Sequence, residues 1–262
     1  MGVAIQRSSP FELWVGISTK QSRTLGEVGE AIEEIREELR YNGAQTKDYF
    51  LAGHGKSGLL IQTYATDRSE SFKGIILYGA CLSSQHPLST YPLPVLTLSG
   101  DLDGINRITR MVDAFDEILT STLDADVFLR SPVIVLEGLN HGSYISTELP
   151  GALKLFDIEA EVSHDNALQK IGNTTVLFIM HSLQMPEEEL ESIKFHLEIA
   201  YSNTFTTLLP IIEARTYALD ENSESYWVRT AQVWFTGPRA PTPVAFKSRV
   251  MLWMRIRYSC RQ

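Results

Sequence analysis

The sequence predicts an α/β protein with a mostly parallel sheet, and three observations predict it. Short apolar runs of strand character alternate with stretches whose apolar residues recur at three- and four-residue spacing. Three of those runs, at 49–52, 95–98 and 133–136, open into glycine-bearing loops at their carboxyl ends. The chain of 262 residues is 44% hydrophobic and 21% charged, enough apolar material for a sizeable core. Strands that alternate with helices need crossover connections, which produce a parallel sheet covered on both faces.

The elements follow in order. Residues 11–17 (FELWVGI) form an apolar run closed by Ser18, Thr19 and Lys20, the pattern of a buried strand. Leu25, Val28, Ile32, Ile35 and Leu39 then line one stripe of a surface helix, and Gly43 suits its stop. Residues 49–52 are a second strand that runs into Gly53-His54-Gly55-Lys56-Ser57-Gly58, after which Leu59, Leu60, Thr63 and Tyr64 read as the buried face of a helix. Residues 75–78 are a third strand, and residues 95–98, announced by Pro92 and Pro94, a fourth. Ile105, Ile108, Val112, Phe115 and Leu119 mark the helix that follows, and residues 133–136 a fifth strand. From about 157 to 219 the pattern is mainly helical, with His164, His181 and His196 on helix faces and Pro186 before Glu187, Glu188 and Glu189 as a helix start. The expected division is a core over 1–156, a helical region over 157–236 serving as a cap or a dimerisation surface, and a basic tail over 237–262.

Charge and composition exclude several classes. Lys and Arg number 23 against 32 Asp and Glu, a net charge of -9, which argues against a nucleic-acid partner for the chain as a whole. Residues 237–262 carry six basic residues and no acids, so the remainder carries -15. That tail reads as a last element packing on the body, its arginines facing acidic surface, in preference to a patch for anionic lipid. No transmembrane run or secretory signal is legible, so the cytoplasm is the default expectation. Cys81 and Cys260 have no metal-ligand spacing and read as free thiols.

Three loops carry candidate chemistry. A strand, then Gly-His-Gly-Lys-Ser-Gly, then a helix has the build of a nucleophile elbow, with Gly53 and Ser57 as small flanks and Gly55 at the apex. The apex normally presents an attacking side chain, and glycine has none. The loop after the fourth strand holds Asp101 and Asp103, and the loop after the fifth holds Asn140 and His141. Elbow, acid and histidine in that order can assemble a triad in which the acid orients the imidazole, with Asp103 the first choice and Asp101 the second. Taken singly, each has a plainer reading: a glycine turn, Gly-Asp turn chemistry, a structural histidine. A phosphate loop is the rival for Gly55-Lys56-Ser57, but Phe50 stands where that motif needs glycine. His54 reads as a packing residue beside the apex; a metal held by His54, Asp103 and His141 is not required by any spacing. Ser57, in the helix's first turn, is the minority candidate for a displaced nucleophile.

On LAGHGKSG (51–58), PVLTLSGDLDGINRI (94–108) and PVIVLEGLNHG (132–142), residues 11–145 resemble the α/β-hydrolase superfamily, in its lipase-, esterase-, chlorophyllase- and dienelactone-hydrolase-like branch. Relatives read Gly-His-Ser-x-Gly-Gly, Gly-x-x-Asp and Gly-x-x-His at these blocks. The second and third are intact at Asp103 and His141, while Gly55 replaces the serine. The resemblance implies a three-layer α/β-hydrolase-type sandwich lacking its first strands and the loop that gives one oxyanion-hole N–H. It further implies ester or acyl hydrolase ancestry without a cofactor. The expectation is a degenerate hydrolase that keeps a pocket bordered by His54, Lys56, Asp101 and Asn140 for a small ester or lipid-like ligand. The alternative is an active hydrolase using Ser57, or a water activated by Asp103 and His141. The oligomeric state is not legible.

Overall fold

The apolar runs at 49–52, 75–78, 95–98 and 133–136 become the four parallel strands of one six-stranded sheet. A computed structural model describes residues 2–9, 12–18, 24–41, 49–83, 86–88, 90–121, 125–145, 149–184 and 186–220. In chain order the elements are strands β1 (Gly2–Ser9) and β2 (Glu12–Ser18), helix α1 (Leu25–Tyr41), strand β3 (Tyr49–His54), helix α2 (Lys56–Thr66), and strands β4 (Gly74–Tyr78) and β5 (Val95–Gly100). Helices α3 (Ile108–Ser121) and α4 (Ala125–Arg130), strand β6 (Val133–Leu136), and helices α5 (Gly151–Lys154), α6 (His164–Ser182) and α7 (Glu187–Asp220) complete it.

The sheet order is β2-β1-β3-β4-β5-β6. Strands β3 to β6 are parallel, with Leu51 opposite Ile75, Ile76 opposite Leu96, and Leu98 opposite Ile134. Their side chains are almost wholly buried, as expected of strands enclosed on both faces. Two helices show that enclosure. Phe50 of β3 meets Phe178 of α6 edge-on, with ring centroids 6.1 Å apart. A Cβ on Gly53, three residues along the same strand, would instead stand 3.0 Å from Ile61 of α2. Residues three apart on a strand point to opposite faces, so α2 and α6 sandwich the sheet.

Several expectations need correction. Strand β1 was not foreseen: it pairs antiparallel with both β2 and β3, so the parallel order holds for four strands only. The inward face of α2 is Gly58, Ile61, Gln62, Tyr64 and Ala65, not Leu59, Leu60 and Thr63; Leu59 is exposed. The elbow sets that face, because Gly58 is pressed against Ala80, and the positions one and two turns on follow it inward. Helix α3 begins at Ile108; Ile105 lies in the preceding loop, where its N–H serves Asp103. At its far end Ile118 is buried where Leu119 was expected.

The chain separates into two compact units, Met1–Leu208 and Leu209–Gln262. In the first, residues 157–208 belong with the sheet. Helix α7 lays Ile193, Leu197, Tyr201, Thr204 and Leu208 inward at helical spacing, and Tyr201 stacks on Phe115 and meets Phe128 at a tilt. Thr204 Oγ1 accepts the N–H of Val135 at 2.9 Å, so a helix hydroxyl satisfies the edge strand that would otherwise present an open donor. Of the second unit the described residues are 209–220, the last turns of α7. They include Pro210, which has no N–H to continue the helix ladder. Residues 221–262, with the basic tail and Cys260, lie outside the described residues. Among the described residues no helix is long and apolar enough to cross a membrane.

Candidate functional site

At the end of β3 the Gly55 N–H donates to the Tyr78 carbonyl at 2.9 Å, continuing the β3–β4 ladder by one residue, and α2 starts at once. Gly55 has φ 55° and ψ −122°, a region nearly closed to residues with a Cβ. The turn is tight: a Cβ on Gly53 would stand 2.9 Å from the Gly58 nitrogen, and one on Gly58 would stand 2.8 Å from the Ala80 Cβ. Sharp reversal from strand to helix, with positive φ at the apex, is the conformation that lifts a nucleophile above a sheet.

Facing that apex are the acid and the histidine. Asp103 follows β5 and is buried; its Oδ1 accepts the N–H groups of Ile105 at 2.9 Å and Asn106 at 2.6 Å. His141 follows β6, and its Nδ1 lies 2.9 Å from Asp103 Oδ2 and 3.1 Å from Oδ1. Because the carboxylate only accepts, Nδ1 carries a proton and donates it to Asp103. Nε2 points at the elbow: a Cβ built on Gly55 would stand 3.2 Å from it. Gly79, with φ 52°, lies under the pair, and a Cβ there would come within 2.9 Å of His141 Nδ1 and 3.0 Å of Asp103 Oδ2. Glycine is the residue that lets the chain pass beneath the acid and the ring.

A second layer holds these groups in place. Asp157 Oδ1 accepts the N–H groups of Gly104 and His141, both at 3.1 Å, and its Oδ2 accepts that of Gly142 at 2.9 Å, pinning the acid loop to the histidine loop. Asn140 caps the short 3-10 turn His141–Tyr144: its side chain accepts from Ser143 N–H at 3.0 Å, and its amide donates to the Ile158 carbonyl at 2.6 Å. His54 Nε2 donates to the His141 carbonyl at 3.1 Å, and the two rings are in tilted contact with centroids 4.2 Å apart. Burial, and then the neighbouring His141, push the His54 imidazole down to about 3, so it stays neutral. Tyr144 lies between His54 and Tyr78, stacked on the latter, and its buried hydroxyl has no hydrogen-bond partner among the described residues. Burial, reinforced by the charge of Asp103, holds that phenol well above its usual range.

Of the residues singled out from the sequence, Gly55, Asp103, His141 and His54 meet at one place. Asp101, the second choice of acid, does not reach His141: its Oδ1 accepts the Gly138 N–H at 2.7 Å, and burial raises its carboxyl. Asn140 positions the histidine turn through its own bonds. Lys56 is exposed and Ser57 half-buried, both in the first turn of α2 beyond the apex. His54 and His141 turn a nitrogen to a carbonyl and to a carboxylate respectively, and among the described residues no cluster of acids, histidines and cysteines is arranged to hold a metal. Cys81 is no substitute nucleophile, since burial pushes its thiol up to about 11. His164 and His196 are exposed on α6 and α7. The expected loss of an oxyanion loop concerns N-terminal stretches that include 10–11, 19–23 and 42–48, outside the described residues.

Sequence reasoning missed Asp157, Gly79 and Tyr144. Asp157 sits in a plain Leu-Phe-Asp-Ile stretch with no local signal, and its role exists only because the chain returns to the two loops. Gly79, following a strand, carried a faint one. Compared with family models, curated proteins and solved structures, the chain matches none. The arrangement itself supplies a base, Nε2, held by a fixed acid and aimed at an elbow that has no side chain to activate.

Proposed function

We propose that the chain is an α/β-hydrolase-fold protein of carboxylic-ester or acyl-hydrolase ancestry, now a pseudo-hydrolase that keeps a ligand site. One observation carries this reading: a Cβ on Gly55 would stand 3.2 Å from His141 Nε2. A serine Oγ, one bond further, falls within hydrogen-bond reach of that nitrogen once the ring gives by a few tenths of an ångström. Positive φ at the apex and an imidazole oriented by Asp103 are what activation of such a hydroxyl requires, and the turn bonds from Ile105 and Asn106 keep that carboxylate fixed.

Gly55→Ser tests the reading. The variant should hydrolyse p-nitrophenyl acetate at least about 10³-fold faster than the parent. A nucleophile is worth roughly 10⁶, and one missing oxyanion donor takes back about 10² to 10³. It should also accept one fluorophosphonate label at position 55. A Gly55→Ser chain that folds but neither turns over nor labels would sink the proposal.

The unmodified chain should take up no label. A stoichiometric adduct on Ser57 would instead mean an active serine in a shifted register. Ester hydrolysis by the parent that is lost in His141→Ala would mean that the pair activates water. The ligand expected at the site is a small ester-like or lipid-like molecule, the class of compound on which the ancestral acid and histidine would act.

A further inference from the structure

We propose that residues 153–159, beside the histidine loop, form a self-complementary surface on which a second copy of this chain docks. The inference is independent of the hydrolase reading and rests on how apolar side chains and charges are ordered along one exposed strip. Leu153, Leu155, Phe156 and Ile158 are 41%, 85%, 70% and 52% exposed, four large apolar side chains within six residues. Such side chains are ordinary on a surface when they stand singly. Set together and rimmed by charge, they mark an interaction site.

The strip is held firmly from its inner side. Asp157 takes the N–H groups of Gly104, His141 and Gly142 on its carboxylate. The Ile158 carbonyl accepts the Asn140 amide at 2.6 Å, and the Phe156 carbonyl passes so close to Gly104 that a Cβ there would meet it. A segment fixed in this way presents its side chains at little further cost in conformational entropy.

The order of the exposed groups selects the occupant. From Lys154 the strip reads cation, Leu155, Phe156, the half-buried Asp157, Ile158 and then the acid Glu159, all but Asp157 exposed. A two-fold axis through its middle lays Leu155 of each copy toward Ile158 of the other, sets Phe156 beside its counterpart, and brings Lys154 opposite Glu159 at both ends. An isologous contact demands this reciprocity. An apolar centre with a charged rim is the anatomy of a protein interface, the rim charges fixing register more than affinity. A lipid surface makes no use of opposite charges at the two ends, and an anionic one is repelled by the exposed Glu159 and Glu161. The strip is short beside the roughly 20–30 residues a side of a standard interface, so the dimer is weak, with a Kd of roughly 10–100 µM.

Sedimentation velocity of the full chain from about 5 to 500 µM brackets that constant and tests the proposal. The parent should pass from monomer to dimer. Leu155→Asp, at the most exposed of the four positions, should weaken the dimer at least about a hundredfold, since the two-fold counts the substitution twice. Lys154→Glu and Glu159→Lys should each weaken it about three- to tenfold, and the double variant should return to the parent's constant. A chain that stays monomeric throughout overturns the proposal. So does a dimer indifferent to Leu155→Asp, or charge variants whose losses add where they should cancel. Monomers that sediment with phosphatidylcholine vesicles, and lose that binding in Leu155→Asp, would assign the strip to a lipid surface and overturn it too.

Discussion

The turn after β3 and the two loops after β5 and β6 are built differently. At the turn the backbone reverses sharply with positive φ at Gly55, and the apex has no side chain. At the two loops the side chains are present and tied down: Asp103 holds two N–H groups and the imidazole, Asp157 ties both loops together, and Asn140 caps the histidine turn. Any side-chain chemistry at the turn would hang on a single residue. Positioning at the loops is spread over several hydrogen bonds, most of them also structural. Burial reinforces this, since a buried acid or imidazole that loses its partner leaves an unmet polar group at a cost of about 1–3 kcal/mol.

This contrast can be broken or sharpened by substitution. The largest effect is expected from Asp103→Asn placed in the Gly55→Ser background. The amide cannot hold the same tautomer of His141, so the esterase rate gained should fall essentially to the parent's; loss of this orientation costs about 10⁴ where the full machinery is present. A variant that kept its rate would show that Asp103 does not orient the imidazole for this chemistry. Asp157→Ala should come next. It strips an acceptor from the Gly104, His141 and Gly142 N–H groups, and because water reaches part of that half-buried site, denaturant unfolding should show a loss of about 1–3 kcal/mol. No change there would mean the two loops hold themselves.

The last effect, small over any one pH unit, is a dependence on pH. His54 titrates near 6.5 in the unfolded chain and at about 3 in the folded one, so between those values the unfolded state binds more protons and stability falls as pH falls. The slope approaches at most about 1.4 kcal/mol per pH unit inside that window, and the effect should be absent above it. In His54→Gln the same window should flatten. An unchanged profile would place the acid sensitivity in other groups.

Much of the fold was legible because burial on both faces writes continuous apolar runs, and β3, β4, β5 and β6 are such runs. The acid and the histidine were legible for a related reason: side chains at the carboxyl ends of parallel strands are brought together by the topology itself, so order along the chain becomes proximity in space. The face of α2 was misread because a short amphipathic stretch with Leu59, Leu60 and Ile61 in sequence admits more than one inward stripe. The contact of Gly58 with Ala80 chose among them. Strand β1 left no clear trace, since residues 2–9 mix apolar and polar residues without a decisive period.

By itself the sequence determined the α/β class, the strand ends that carry chemistry, and the absence of a side chain at residue 55. Each of these is a local property: periodicity, loop composition, residue identity. The tertiary structure ended the choice between Asp103 and Asp101, and it alone decided that Asp157 pins both loops and that Nε2 faces the amino end of α2. Those are matters of which groups meet across tens of residues. Two aspartates two positions apart in one turn differ in nothing but where the packed backbone points them.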